Sequence, residues 1–260
     1  MYLLKTRQRT TIALLSVLLL TAACKTKNKP DTHKQTDTTS THTPITLTSE
    51  QRRNNTTNFL KQKGITTLAS LPLTEAYPTA RFRNTTEVAE KAVVLYALIA
   101  VAQKEITAAD AIVYFKKYDL WKNVSALERS YLAKHPKTED DNAPVNWRIE
   151  NLHVLLWALG YINTLDFPTA ECDMNSWPED LPDTATDPRA WISKSRLRDT
   201  EDILTETDLI YNIHWATTDA TLNNYTIPAR LNPDVVMERH FALNWLTMYA
   251  DNWDDITTDT

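Results

Sequence analysis

Glu150 and His153 stand three positions apart, a spacing that sets a carboxylate and an imidazole on one side of a helix within reach of a common metal ion. His214 and His240, from later segments, could complete such a coordination sphere. A di-iron bundle needs a second Glu-x-x-His, and the sequence contains none. Without metal, His153 or His214 could pair with Glu150 or Asp208 for acid–base work, yet no serine or cysteine falls in a recognisable nucleophile motif. Catalysis is therefore the alternative reading of these residues, and no cofactor is expected.

The leading reading is architectural. In three segments ionisable groups sit among tryptophans on helices that otherwise look buried. Arg148 falls within a leucine face, while Glu150, His153 and Trp157 share the other side. Asp208, Tyr211 and Trp215 line up on a second helix with His214 beside them. On a third, Arg239 interrupts the stripe of Val235, Leu243 and Leu246, Glu238 shares a face with Ala242 and Trp245, and Asn244 lies alongside. Two arginines thus point where apolar side chains belong, and Glu150, Asp208, Glu238 and the tail residues Asp254, Asp255 and Asp259 are the available counter-ions. A planar guanidinium suits bidentate pairing with a carboxylate, so the expected outcome is a buried network that fixes helix register, with the acidic tail docked onto it.

The elements that must hold these groups are helices. Trp147 to Gly160 is apolar nearly all round, too short to span a bilayer, and ends at a glycine placed for a left-handed C-cap. Ser49 is read as the cap of a first helix that stops at Gly64. Asn84 with Glu87, Thr107 with Asp110, and Ser125 with Glu128 form capping patterns for three more. The central helix is expected to begin after Asn142, with Pro144 in its first turn. Asp199 or Thr200 opens a helix to about Ala220, and Asn232-Pro233 opens the last, to about Tyr249. Residues 161–190, with four prolines among many acids, read as either a functional flap or a run of short helices. No alternating strand pattern and no fixed-period repeat stands out, so the fold class is all-α, a single bundle-like domain over residues 49–260.

Composition removes several function classes. Only Gly64 and Gly160 exist, so phosphate loops, dinucleotide fingerprints and nucleophile elbows cannot be built. Two cysteines, Cys24 and Cys172, exclude a cysteine-rich zinc site. The formal charge of −5 becomes −8 once Lys5, Arg7 and Arg9 are set aside with the acid-free first 23 residues, a balance that argues against nucleic acid. Of the eight tryptophans, Trp147, Trp157, Trp215 and Trp245 lie at helical core spacing. Trp177 and Trp191, in the acidic proline-rich segment, are the better candidates for facing a sugar or peptide ligand.

Residues 1–23 have the form of an export signal: three basic residues, an apolar run from Ile12 to Leu20, then Thr-Ala-Ala before Cys24. A small-small-Cys ending resembles the lipobox of bacterial lipoproteins, which would make Cys24 a lipidated first residue carrying acyl chains such as palmitate, although Thr21 stands where the usual leucine would be. Residues 24–48 are threonine-rich with few apolar side chains and read as a disordered tether. The expectation is a lipid-anchored protein of the bacterial cell envelope, facing the periplasm.

At Asn84-Thr-Thr-Glu-Val-Ala-Glu-Lys-Ala, Trp147-Arg-Ile-Glu-Asn-Leu-His-Val-Leu-Leu-Trp-Ala-Leu-Gly160, Asp208-Leu-Ile-Tyr-Asn-Ile-His-Trp215, Glu238-Arg-His-Phe-Ala-Leu-Asn-Trp-Leu246 and Trp253-Asp-Asp-Ile-Thr-Thr-Asp-Thr260, the chain resembles the bacterial domain of unknown function 4272 family (DUF4272). The resemblance covers roughly residues 50–260 in order and with family-like spacing. It implies an all-helical domain and no particular chemistry. The function expected is therefore a membrane-tethered helical module that binds a protein or small-molecule partner without catalysis. The alternatives are a hydrolase-like or metal-dependent enzyme built on Glu150, His153, Asp208 and His214, and an immunity-like inhibitor.

Overall fold

Five helices open on the same local device, in which a side-chain oxygen accepts the backbone N–H three residues on while that residue's side chain returns to the cap's own N–H. Thr48 and Gln51 start α1 (Ser49–Gln62), Asn84 and Glu87 start α2 (Thr85–Ala102), and Thr107 and Asp110 start α3 (Ala108–Lys117). Ser125 and Glu128 start α4 (Ala126–Ala133), and Thr138 and Asp141 start α5 (Glu139–Ala158). The remaining helices are α6 (Arg189–Lys194), α7 (Thr200–Leu222) capped by Asp199, and α8 (Pro233–Leu246) capped by Asn232. This computed structural model describes residues 46–76 and 78–260, and among them there is no strand. The proposed signal peptide, Cys24 and most of the tether lie outside the described residues.

Four boundaries differ from the sequence reading. Thr48, not Ser49, caps α1, because Gln51 completes its box; Ser49 Oγ instead donates to Thr74 O at 2.6 Å. The central helix starts at Glu139, since the Thr138–Asp141 box is the stronger start and Pro144 is carried one turn inside. The carbonyl that Pro144 leaves without an amide is that of Asp140, and both residues are exposed, so water can satisfy it. The last helix ends at Leu246, where Met248 takes φ 54° and the Tyr249 N–H turns back to Asn244 O at 2.9 Å. Residues 161–190 form a strap of turns that holds one short 3-10 helix at Met174–Ser176 before α6 begins at Arg189, pinned by the buried Trp177, Leu181 and Pro168.

Gly64 and Gly160 do follow α1 and α5 with φ of 72° and 76°, the left-handed conformation that ends a helix. Thirteen of the eighteen residues of α2 are buried, so this helix and not α5 is the enclosed hub. It packs on α5 and also meets α3 and α6, α5 packs on α8, α8 on α7, and α7 on α1. The contacts are aliphatic along α2 and the second half of α5, where Val93, Val94, Leu95, Leu152, Leu155 and Leu156 are fully buried. Truncating any of these leucines to alanine costs about 2–5 kcal/mol through lost burial and the cavity left behind. No described helix is long and apolar enough to cross a membrane.

Candidate functional site

The α5–α8 seam carries two ion pairs in reciprocal sense, one arginine and one carboxylate from each helix. Arg239 Nε of α8 donates to Glu150 Oε2 of α5 at 3.0 Å, and its Nη1 donates to Asp166 O at 2.5 Å. The second oxygen of Glu150 accepts the Cys172 N–H at 2.5 Å, so this pair also fastens the strap to the bundle. Arg148 Nη1 of α5 lies 3.4 Å from Glu238 Oε2 of α8, with Asn151 between them donating to Glu238 Oε2 at 2.8 Å and to Glu238 O at 2.6 Å. The Arg239–Glu150 side chains are 2% and 1% exposed, whereas Arg148 is 25% exposed and spreads over the Phe241 ring at 4.6 Å. Burial raises the Glu238 carboxyl from its ordinary range, opposed by the charge of Arg148 and the bond from Asn151.

Asp208 is not part of this seam. It is fully buried and accepts from Arg53 Nε at 3.1 Å and Nη2 at 2.9 Å, tying α7 to α1, while its Oδ2 has no hydrogen-bond partner among the described residues. Two turns earlier Glu201 takes a bidentate bond from the buried Arg52, with Nη2 at 2.8 and 3.1 Å from its two oxygens. The arginine that neutralises Asp208 thus comes from the N-terminal helix, not from Arg148 or Arg239. The tail acids are not their counter-ions either. Asp254 Oδ2 accepts the Leu127 N–H at the start of α4 at 2.9 Å, Asp255 accepts from Asn252, and Asp259 accepts from the exposed Thr257. A carboxylate gains as much from unpaired amides at a helix start as from a surface cation, and α4 offers them near the tail. Asn244 anchors the tail by donating to Thr257 O at 2.9 Å.

The histidines divide between two places. His153 Nδ1 accepts the Trp177 indole N–H at 3.1 Å; an indole only donates, so this imidazole is neutral with its proton on Nε2. Burial, with Arg239 nearby, pushes its pKa down to about 4. His214 and His240 face each other through their Nδ1 atoms at 2.8 Å, which requires one donor and one acceptor. Burial lowers both, and with His214 alongside brings His240 to about 3. Tyr211 packs on the His240 ring at 5.5 Å, burial raising its phenol, and Trp215 is half-buried on the same helix. Cys172 is held with its thiol pushed up by burial and by Glu150, the wrong direction for a nucleophile.

The proposed quartet of Glu150, His153, Asp208 and His214 is therefore split among Arg239, Trp177, Arg53 and His240. Among the described residues no three His, Cys, Asp or Glu side chains gather as a metal-ligating group. Trp177 and Trp191, proposed to face a ligand, are 6% and 4% exposed. The strap folds their rings inward, Trp177 against Tyr96 and Trp191 stacked on Tyr161 at 4.8 Å, because two large apolar faces in a short segment gain more from burial than from water.

A cleft of about 580 Å³ opens elsewhere, between the starts of α2 and α4 and the C-terminal tail. Its walls carry Arg83, Lys91, Lys122 and Arg129 together with Trp245 and Trp253, and the carboxylates of Glu87, Asp251, Asp254 and Asp255. Lys91 is 2% exposed, bonds both oxygens of Glu128 at 2.7 and 2.9 Å, and lies 4.0 Å from the centre of the Trp253 ring. Burial lowers its ammonium pKa and Glu128 opposes that shift. A lysine inside the run Val88 to Ile99 was the available sequence signal for this site. Arg52 and Arg53 gave none, since their partners stand about 150 positions away.

The described family model, Domain of unknown function (DUF4272), matches residues 52–256, and the chain belongs to that family. No curated protein and no solved structure matches the chain significantly.

Proposed function

We propose that this DUF4272 member is a lipid-anchored helical module of the bacterial envelope that binds a partner through the cleft beside its C-terminal tail and catalyses nothing. In this reading residues 1–23 direct export, Cys24 carries the acyl chains, and residues 24–48 serve as the tether. Each acyl CH₂ buried in a bilayer contributes about 0.8 kcal/mol, so two or more chains suffice for lasting attachment.

One observation carries the binding half. The ionisable groups that could do chemistry are held in structural bonds inside the bundle, while the open cleft is lined by Arg83 and Arg129, which hydrogen-bond no carboxylate among the described residues. A site with its acids and bases locked in structural bonds is poorly placed for proton transfer. A cleft with cations and tryptophans at its wall is placed for recognition.

The test uses the full chain. Labelling with an alkyne fatty acid should mark the wild type and not Cys24→Ala. Envelope partners captured by the anchored protein should be lost on the paired charge reversal Arg129→Glu and Lys122→Glu, two exposed positions. An unlabelled wild type, or a partner that the reversal leaves in place, overturns the corresponding half.

A further inference from the structure

The strap that joins α5 to α6 is anchored at both ends and fastened along its middle to a histidine. At its start Arg239 Nη1 donates to Asp166 O at 2.5 Å, the Asn232 N–H donates to Pro168 O at 2.8 Å, and the Cys172 N–H donates to Glu150 Oε1. At its end α6 is held by Trp191, 4% exposed and stacked on Tyr161. Between these anchors the chain closes local turns. Asp173 Oδ1 accepts the Asn175 N–H at 2.9 Å, and Asp183 Oδ1 accepts the Ala185 N–H at 3.1 Å and the Thr186 hydroxyl at 2.7 Å. A bond from this stretch to a helix runs from the Trp177 indole N–H to His153 Nδ1 of α5, at 3.1 Å.

That bond has one polarity. An indole N–H donates and cannot accept, so His153 holds it only while Nδ1 keeps its lone pair. A proton on Nδ1 would set two donors head to head between side chains that are 6% and 4% exposed. From α8 Arg239 repels a second positive charge at the ring, and from the strap Asp173 favours one. Glu150, one turn back on α5, is committed to Arg239 and to the Cys172 N–H, and α2 contributes Tyr96, whose ring packs on Trp177. Burial and Arg239 outweigh Asp173, so the imidazole of the closed form is neutral.

We propose that His153 is an acid-responsive latch: on taking up a proton it releases Trp177, and the strap opens between Cys172 and Pro188 while both ends stay anchored. The closed form excludes the proton and the open form admits it, so by linkage acid favours opening. With a pKa of about 4 closed and at most the ordinary 6.5 open, the opening equilibrium rises by up to about 20-fold from pH 7 to pH 5, and by up to about 300-fold in the acid limit. Burial of Trp177 and Leu181 opposes opening at every pH, so the proton changes how often the strap opens without unfolding the bundle. Opening uncovers His153 and the Trp177 ring, a surface that the closed form withholds.

Hydrogen exchange of the tryptophan indole N–H groups in the full chain, followed by NMR and corrected for the intrinsic pH dependence of exchange, measures this opening. From pH 7 to pH 5 the opening equilibrium at Trp177 should rise about tenfold or more, while that at Trp191, behind its anchor, should change less than about twofold. His153→Gln keeps an acceptor for the indole and cannot take the proton, so its Trp177 should also change less than about twofold. If that variant fails to fold, the wild type decides by slope: the logarithm of the opening constant should rise by about one per unit fall in pH between 6 and 5, the signature of a single proton. A flat response at Trp177, a slope of two, an equal rise in His153→Gln, or a rise at Trp191 in step with Trp177 overturns the latch.

Discussion

Arg239 of α8 and Glu150 of α5 meet at 3.0 Å with side chains 2% and 1% exposed, and the same carboxylate holds the Cys172 N–H of the strap. One ion pair therefore sets the register of two helices and closes a thirty-residue segment over them. A buried pair of this kind gives a large penalty when one member is removed, because the other is left charged and unsolvated.

Arg239→Ala should accordingly destabilise the protein by about 3–5 kcal/mol. Arg148→Ala should cost only about 1–2 kcal/mol, since that guanidinium is a quarter exposed and water can reach the carboxylate it leaves. Urea melts of both variants decide the order, and equal losses would mean that the two pairs act as one network. Combining Arg239→Met with Glu150→Leu should recover most of the stability lost by either alone.

Glu206 makes no hydrogen bond among the described residues, and burial pushes its carboxyl up to about 7, with Arg239 pulling the other way. A raised carboxyl binds its proton more tightly in the folded state, so its contribution is full below pH 4.5 and is lost as pH rises through about 7. Glu206→Gln should leave stability at pH 4.5 nearly unchanged and raise it at pH 8 by about 1–2 kcal/mol, the full shift being discounted for the partial exposure of the side chain. Thermal melts at the two pH values check this; a variant that loses stability at pH 8 would refute it.

The facing His214 and His240 rings titrate in the opposite sense. Their pKa values lie below 6.5 in the folded state, so stability is present above that pH and falls as the solution is acidified toward about 3, where a second proton would set two donors head to head. His240→Asn removes this cost, and the slope of stability against pH between about 6 and 4 should flatten relative to wild type, whatever the variant's absolute stability. An unchanged slope in denaturant melts across that window would show the pair to be unimportant.

Trp177→Phe keeps the ring against Tyr96 but deletes the donor to His153 Nδ1. The freed nitrogen can then take a proton, so the His153 pKa should rise from about 4 in an NMR titration of its ring protons while burial and Arg239 still hold it below the ordinary histidine value. Stability should fall by about 1–2 kcal/mol at neutral pH, the cost of a buried acceptor left unmade.

Helix starts and stops were readable because their causes are local. Asn84 with Glu87, Thr107 with Asp110 and Ser125 with Glu128 close rings of four residues, and Gly160, with no Cβ, takes the φ of 76° that ends α5 without steric cost. Where the local signal was ambiguous it misled. Two candidate caps adjoined at Thr48 and Ser49, and Pro144 drew the start of α5 four residues too late although Thr138 and Asp141 formed the better box. The polar residues of the seam were also visible, because Arg148 and Arg239 interrupt apolar faces at helical spacing.

Their partners were not. A carboxylate states in sequence that it needs a donor and not which one, so Asp208 was equally ready for Arg148, Arg239 or Arg53, and the packing of α7 against α1 chose Arg53. The same holds for Asp254, which the start of α4 claimed ahead of any arginine, and for Trp177 and Trp191, turned inward by a strap whose path no periodicity records. By itself the chain determined its helices, their caps and the need for charge neutralisation, all interactions reaching four residues or fewer. Only the assembled bundle decided which charges meet and where a cleft is left open, because those depend on distances between segments up to about 150 positions apart.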